Sequence, residues 1–157
     1  MSYAMNRAIA AYRTAATTVA PPAAVTLLFD EVLNAIVLAA EELRRRHYEN
    51  AHARIARATG ILRGLRQNVD LEIDKSLGRQ LVAMYTRNIF ALNGAVVKPD
   101  AEDRFVSIAE GLLDLRNAWA EMTTLLPRNR EALLRDIHSE RYVAECFKLM
   151  DIQSADM

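Results

Sequence analysis

One cysteine, five glycines and four prolines are all that 157 residues contain. The lone Cys146 excludes an internal disulfide and favours a reducing, cytosolic address. No Ser/His/Asp-like company surrounds it, so nothing recommends it as a nucleophile. Scarce turn-makers argue for long elements joined by short connections. Excess charge is missing too: Lys plus Arg and Asp plus Glu each number 20. That balance argues against a protein that coats nucleic acid or an anionic membrane. Within residues 25–43 the longest uncharged part is 32–40, well short of the roughly 20 residues a bilayer requires, so no membrane span is expected. Residues 1–29 carry Arg7 and Arg13 and no acid, but lack the apolar centre of a secretory signal. They read as an arm of the mature protein.

What is abundant is apolar spacing of helical period. Hydrophobic residues make up 52% of the chain, enough to build one real core. Pro21-Pro22 sits where a helix start tolerates proline, and Val25, Phe29, Val32, Ile36, Ala40 and Leu43 step along one face of the helix that follows. A second helix is predicted over 48–69, with the stripe Ala51, Ile55, Ala58, Leu62, Leu65 and Val69. A third begins at the N-cap Asp74, carries Leu77, Leu81, Met84, Tyr85, Ile89, Leu92 and Val96, and stops at Lys98-Pro99. Asp100 is expected to cap a fourth, with Phe105, Ile108, Leu112, Leu115, Trp119 and Met122 inward. After Pro127, residues 129–150 form a weaker fifth. The expected fold is all-α, an antiparallel up-down four-helix bundle with an N-terminal arm and a fifth C-terminal helix. Its divisions are an arm (1–20), a bundle core (21–126) and a C-terminal helix and tail (127–157).

Chemistry finds little footing. A di-iron site in a bundle needs two Glu-x-x-His motifs plus two further glutamates. Glu49-x-x-His52 supplies one, while His138 has Arg135 three residues before it, so no metal or cofactor is called for. Arg44, Arg45, Arg46, Arg54, Arg57, Arg63 and Arg66 invite a phosphate-binding reading. The last four scatter around the helix, and Glu41, Glu42 and Glu49 dilute them, which describes a solvated face. No Gly-rich phosphate loop, triad spacing or paired-carboxylate signature is present, and no enzyme is expected.

The stretch "VTLLFDEVLNAIVLAAEEL", residues 25–43, raises a sharper question. Besides its core stripe it carries a second one: Leu27 and Leu38 lie about 20° apart on the wheel, flanked by Leu28 and Ala35. Either this helix is the most central one, covered on several sides, or an apolar groove is left for an amphipathic helix of another protein.

Three segments, taken in order, are similar to the flagellar secretion chaperone (FliS) family over about residues 8–122. Tyr12 is followed by "TVAPPAAVTLLFDEVL", in which Pro21 matches the family's turn proline and Leu27-Leu28-Phe29-Asp30 its Met-Leu-Tyr-Asp helix motif. "LGRQLVAMYTRNI" resembles its Leu-x-x-Leu-Tyr stretch, placing Leu81 and Tyr85. "IAEGLLDLRNAWAEM" resembles its closing Leu-x-x-Leu-Arg-x-x-Trp helix, placing Leu112, Leu115, Arg116 and Trp119. The turn here lacks the family's Ser, Glu31 replaces a small residue, and the chain from Pro127 onward has no counterpart. The resemblance implies a cytosolic, non-enzymatic chaperone that binds the disordered C-terminal region of flagellin, blocks its premature polymerisation and delivers it to the flagellar export apparatus. On that reading Leu27, Leu28, Leu38, Met84, Tyr85 and Ile89 form the client-binding groove. Met5, Ile9 and Tyr12, at spacings of four and three, form an arm that covers it. The competing class is a structural or regulatory bundle that forms a homodimer through the same apolar face.

Overall fold

The computed structural model describes residues 21–138. These form five helices and no strand: α1 (Pro22–Arg44), α2 (Tyr48–Gln67), α3 (Lys75–Ala95), α4 (Ala101–Ala120) and α5 (Arg130–Ile137). Residues 1–20 and 139–157, which include Met5, Ile9, Tyr12 and most of the expected 129–150 helix, lie outside the described residues.

Helix ends follow local chemistry. Pro22 opens α1, where its missing N–H has no consequence. The end of α1 is a Schellman turn: His47 N–H donates to Glu42 O, Arg46 N–H donates to Leu43 O, and Arg46 takes φ 59°. Arginine occupies this left-handed position, which is usually glycine's, so no sequence signal announced the turn. Asp74 caps α3 as expected, accepting from Leu77 N–H at 3.1 Å, and Asn129 caps α5, accepting from Ala132 N–H. Asp100 does not cap α4. Its carboxylate accepts from Arg104 Nε at 2.8 Å instead, and that hydrogen bond holds its pKa below the usual carboxylate value. Gly78 lets the α2–α3 loop lie against α3, because a Cβ there would sit 2.8 Å from Leu71 Cδ2.

Long-range ion pairs fix how the helices run. Arg44 at the end of α1 pairs with Glu102 at the start of α4, while Asp30 near the start of α1 pairs with Arg116 near the end of α4. The two helices are therefore antiparallel. Helix α1 packs on α2, α4 and α5, α3 packs on α2 and α4, and α5 also rests on α4.

This arrangement answers much of the question posed by residues 25–43. The helix buries Val25, Phe29, Val32, Leu33, Ala35, Ile36, Ala39 and Ala40 because neighbours cover it on three sides. By length and composition α1 is apolar enough to cross a membrane, which the charge-interrupted run did not suggest. Half of the qualifying window is buried within the bundle, so the apolarity has a use there.

On α2 the expected stripe is core through Leu62, but Leu65 and Val69 are only half-buried, since they face an opening described below. Leu62 is fully enclosed, and Leu62→Ala is expected to cost about 2–5 kcal/mol of stability by leaving a cavity that neighbours only partly fill. An unchanged denaturation midpoint would contradict this.

Candidate functional site

At the end of the bundle where α1 starts and α2 and α4 finish, the helices do not close. An open cavity of about 240 Å³ remains, lined by Val25 and Leu28 of α1, Ile61, Gly64 and Leu65 of α2, Asn68 and Val69 beyond it, Leu81 and Tyr85 of α3, and Trp119 of α4. Among the described residues the polar groups of that wall are the Asn68 amide, the Tyr85 hydroxyl and the Trp119 indole N–H, and the rest is hydrocarbon. Such a surface strips water from an apolar group. Among the described lining residues there is no Ser, Thr, Cys, His, Asp, Glu or Lys to serve as a nucleophile, base or metal ligand.

The wall's shape has local causes. Gly64 has no heavy atom within 4 Å of where a Cβ would point, so the missing side chain leaves the α2 side low. Tyr85 is buried and its ring stacks on Phe29, centroids 6.4 Å apart, which fixes the floor between α1 and α3. Arg66 Nη1 donates to Thr86 Oγ1 at 3.2 Å, tying α2 to α3 beside Leu65 and Tyr85.

The α1–α4 side is held by a polar cluster. Arg116 donates to both Asp30 oxygens, from Nε at 2.9 Å and Nη2 at 3.0 Å, and its side chain is only 7% exposed. Its Nη1 donates to Leu126 O and Asn117 Oδ1. Arg128 adds a donor to Asp30 Oδ1 at 3.1 Å and another to Asn34 Oδ1 at 2.7 Å, and Asn117 Nδ2 donates to Arg128 O. A forked, planar pair of this kind sets distance and angle together. It clamps the segment after α4 onto α1. Asp30 and Arg116 were legible only as motif letters, but the signal was present. Arg116 falls four after Leu112 and three before Trp119, on the inward face where a charge requires a buried partner.

Of the six groove residues expected from sequence, the structure brings Leu28 and Tyr85 together in the cavity wall. Met84, next to Tyr85, is half-buried, and Ile89 is a core residue at 6% exposure. Leu27 (53% exposed) and Leu38 (37%) do not line the cavity. They sit on the outer stripe of α1, separated by Glu31, which pairs with Arg57, and by Asn34, which binds Arg128. Spacing missed Val25, Leu65, Val69, Leu81 and Trp119 as wall residues, because a core stripe and a cavity lining have the same period, and Ile61 fell on no expected stripe.

The arginines also have occupations. Arg44 bonds Glu102 and Ile137 O, Arg45 pairs with Glu41, and Arg57 with Glu31. His52 is exposed on α2, and among the described residues no group of three His, Cys, Asp or Glu side chains is placed to hold a metal ion.

All three sequence segments singled out above meet at this cavity: Leu28 from the first, Leu81 and Tyr85 from the second, Trp119 from the third. Asp30 and Arg116 join the first to the third. The model of a protein family described as flagellar protein FliS matches residues 4–125. No curated protein matches the chain.

Proposed function

The chain belongs to the flagellar protein FliS family, a family of flagellar chaperones and not of enzymes, and we propose that it holds the C-terminal region of flagellin before export. The observation that carries this reading is the apolar cavity, whose wall draws one or more residues from each family segment. A disordered client that folds on its chaperone must offset an ordering cost of about 2–5 kcal/mol or more. An open apolar socket with a rigid floor supplies the anchor for a helix-in-groove complex. In this proposal Leu28 and Tyr85 bind the client together with the rest of the cavity wall, and Met84 borders them. Leu27 and Leu38 offer a second, shallower contact to a client that continues along α1, while Ile89 supports the floor from within the core.

The arm belongs to the same proposal. Residues 1–20 join α1 at Pro21, four residues before Val25 of the cavity wall. Met5, Ile9 and Tyr12 are the apolar groups we assign to covering the cavity until a client displaces them. The chaperone acts in the cytoplasm and hands the flagellin to the flagellar export apparatus, keeping it from polymerising early.

Calorimetric titration with a flagellin C-terminal segment tests the reading. Saturable one-to-one binding with a negative heat-capacity change is expected, since apolar surface is buried. No binding, together with self-association of the free chain in sedimentation, would support the homodimer in its place.

A further inference from the structure

A second opening lies at the opposite end of the bundle. It is a cleft of about 530 Å³ between the end of α1 (Ala40, Leu43, Arg44), the start of α2 (Tyr48, His52), the α3–α4 connection (Val96, Val97, Lys98, Pro99) and the start of α4 (Ala101, Glu102). Val97 and Tyr48 are large apolar groups left mostly exposed at its edge, at 64% and 59%. Neither belongs to the site described above.

The end of α5 is fastened to this cleft. Arg44 donates to Ile137 O and to Glu102, and His138 Nδ1 bonds Glu102. The two side chains that hold the last turn of α5 are therefore also cleft residues. Leu133 and Ile137, both buried, fix the direction in which α5 arrives. Nineteen residues, 139–157, follow from that point. Within them Val143, Cys146, Phe147 and Met150 recur at spacings of three, one and three, the apolar side of a helical pattern. The same segment has four acids (Glu140, Glu145, Asp151, Asp156) against two bases (Arg141, Lys148), and Lys98 stands in the cleft. Cys146 follows His138 by eight residues, about 12 Å at the helical rise of roughly 1.5 Å per residue and at most about 26 Å at roughly 3.3 Å per residue if extended.

We infer that the C-terminal segment 139–157 of the same chain docks in this cleft, with Val143, Cys146, Phe147 and Met150 covering Leu43, Tyr48 and Val97. The cleft lies at the end of the bundle opposite the client cavity. The docking is intramolecular and independent of whether the client is flagellin.

The single cysteine makes the test direct. In the full-length chain, Cys146 is reacted with Ellman's reagent beside a peptide of residues 139–157. Docking for about 90% of the time slows the thiol about 10-fold relative to the peptide. Val97→Glu, at an exposed position, restores most of the peptide's rate, whereas Phe90→Glu on the exposed face of α3 does not. Three results overturn the inference: a peptide-like rate in the unaltered chain, protection indifferent to Val97→Glu, or protection that grows with protein concentration, which would mean that a second copy fills the cleft.

Discussion

Asp30→Ala is expected to destabilise the protein by about 3–5 kcal/mol, the cost of stranding a buried charge. Arg116 is nearly enclosed and gives two of its donors to Asp30. Removing the carboxylate leaves the guanidinium with Leu126 O and Asn117 Oδ1, neither of which carries charge. Arg128 loses a partner in the same step. A domain of this size has about 5–15 kcal/mol in total, so the loss takes a large share of it. Urea denaturation of the two proteins measures the difference from the midpoint shift. A change below about 1 kcal/mol would mean that Arg116 reaches water and that the clamp contributes little. Replacing both partners with apolar residues of similar volume should be far milder, because the penalty lies in the unmatched charge and not in the lost pair.

Deleting residues 1–17 is expected to tighten client binding while promoting self-association. If the arm occupies the cavity about 99% of the time, only the remaining hundredth of the molecules is open, and apparent affinity is lowered about 100-fold, or about 2.7 kcal/mol. Truncation removes that handicap and leaves the apolar wall open to water, where patches drive association. Titration reads the first effect and sedimentation the second. Weaker binding by the truncated chain would make the arm part of the site and not its cover.

Helix positions were legible because apolar residues recur at helical spacing, and the cap at Asp74 or the stop at Lys98-Pro99 marks an end by local chemistry alone. What spacing could not supply was the identity of the neighbour. Leu33 and Ala39 look like surplus on a wheel until α2, α4 and α5 surround α1. Leu65 and Val69 look like core until the cavity is seen to lie in front of them. Asp30 and Arg116 are 86 residues apart, so their pairing depends on the whole bundle. Asp100 failed as a cap because Arg104, one turn on, competes for the same oxygen. Leu27 and Leu38 are exposed, which spacing alone left as one of two alternatives. The wheel could not report that Glu31 and Asn34 interrupt them with committed polar contacts.

If the cavity between α1, α2, α3 and α4 receives the client, Gly64→Phe blocks it. The position faces open space, so a side chain there projects into the cavity without meeting backbone, and replacing a helical glycine carries no propensity penalty. Titrating a flagellin C-terminal segment against the unaltered chain and the variant, with denaturation midpoints measured alongside, separates blockage from unfolding. Affinity at least about 10-fold weaker, a loss of about 1.4 kcal/mol, with the midpoint preserved is the expected result. Equal affinity in a stably folded Gly64→Phe protein would contradict it and move the client to another face.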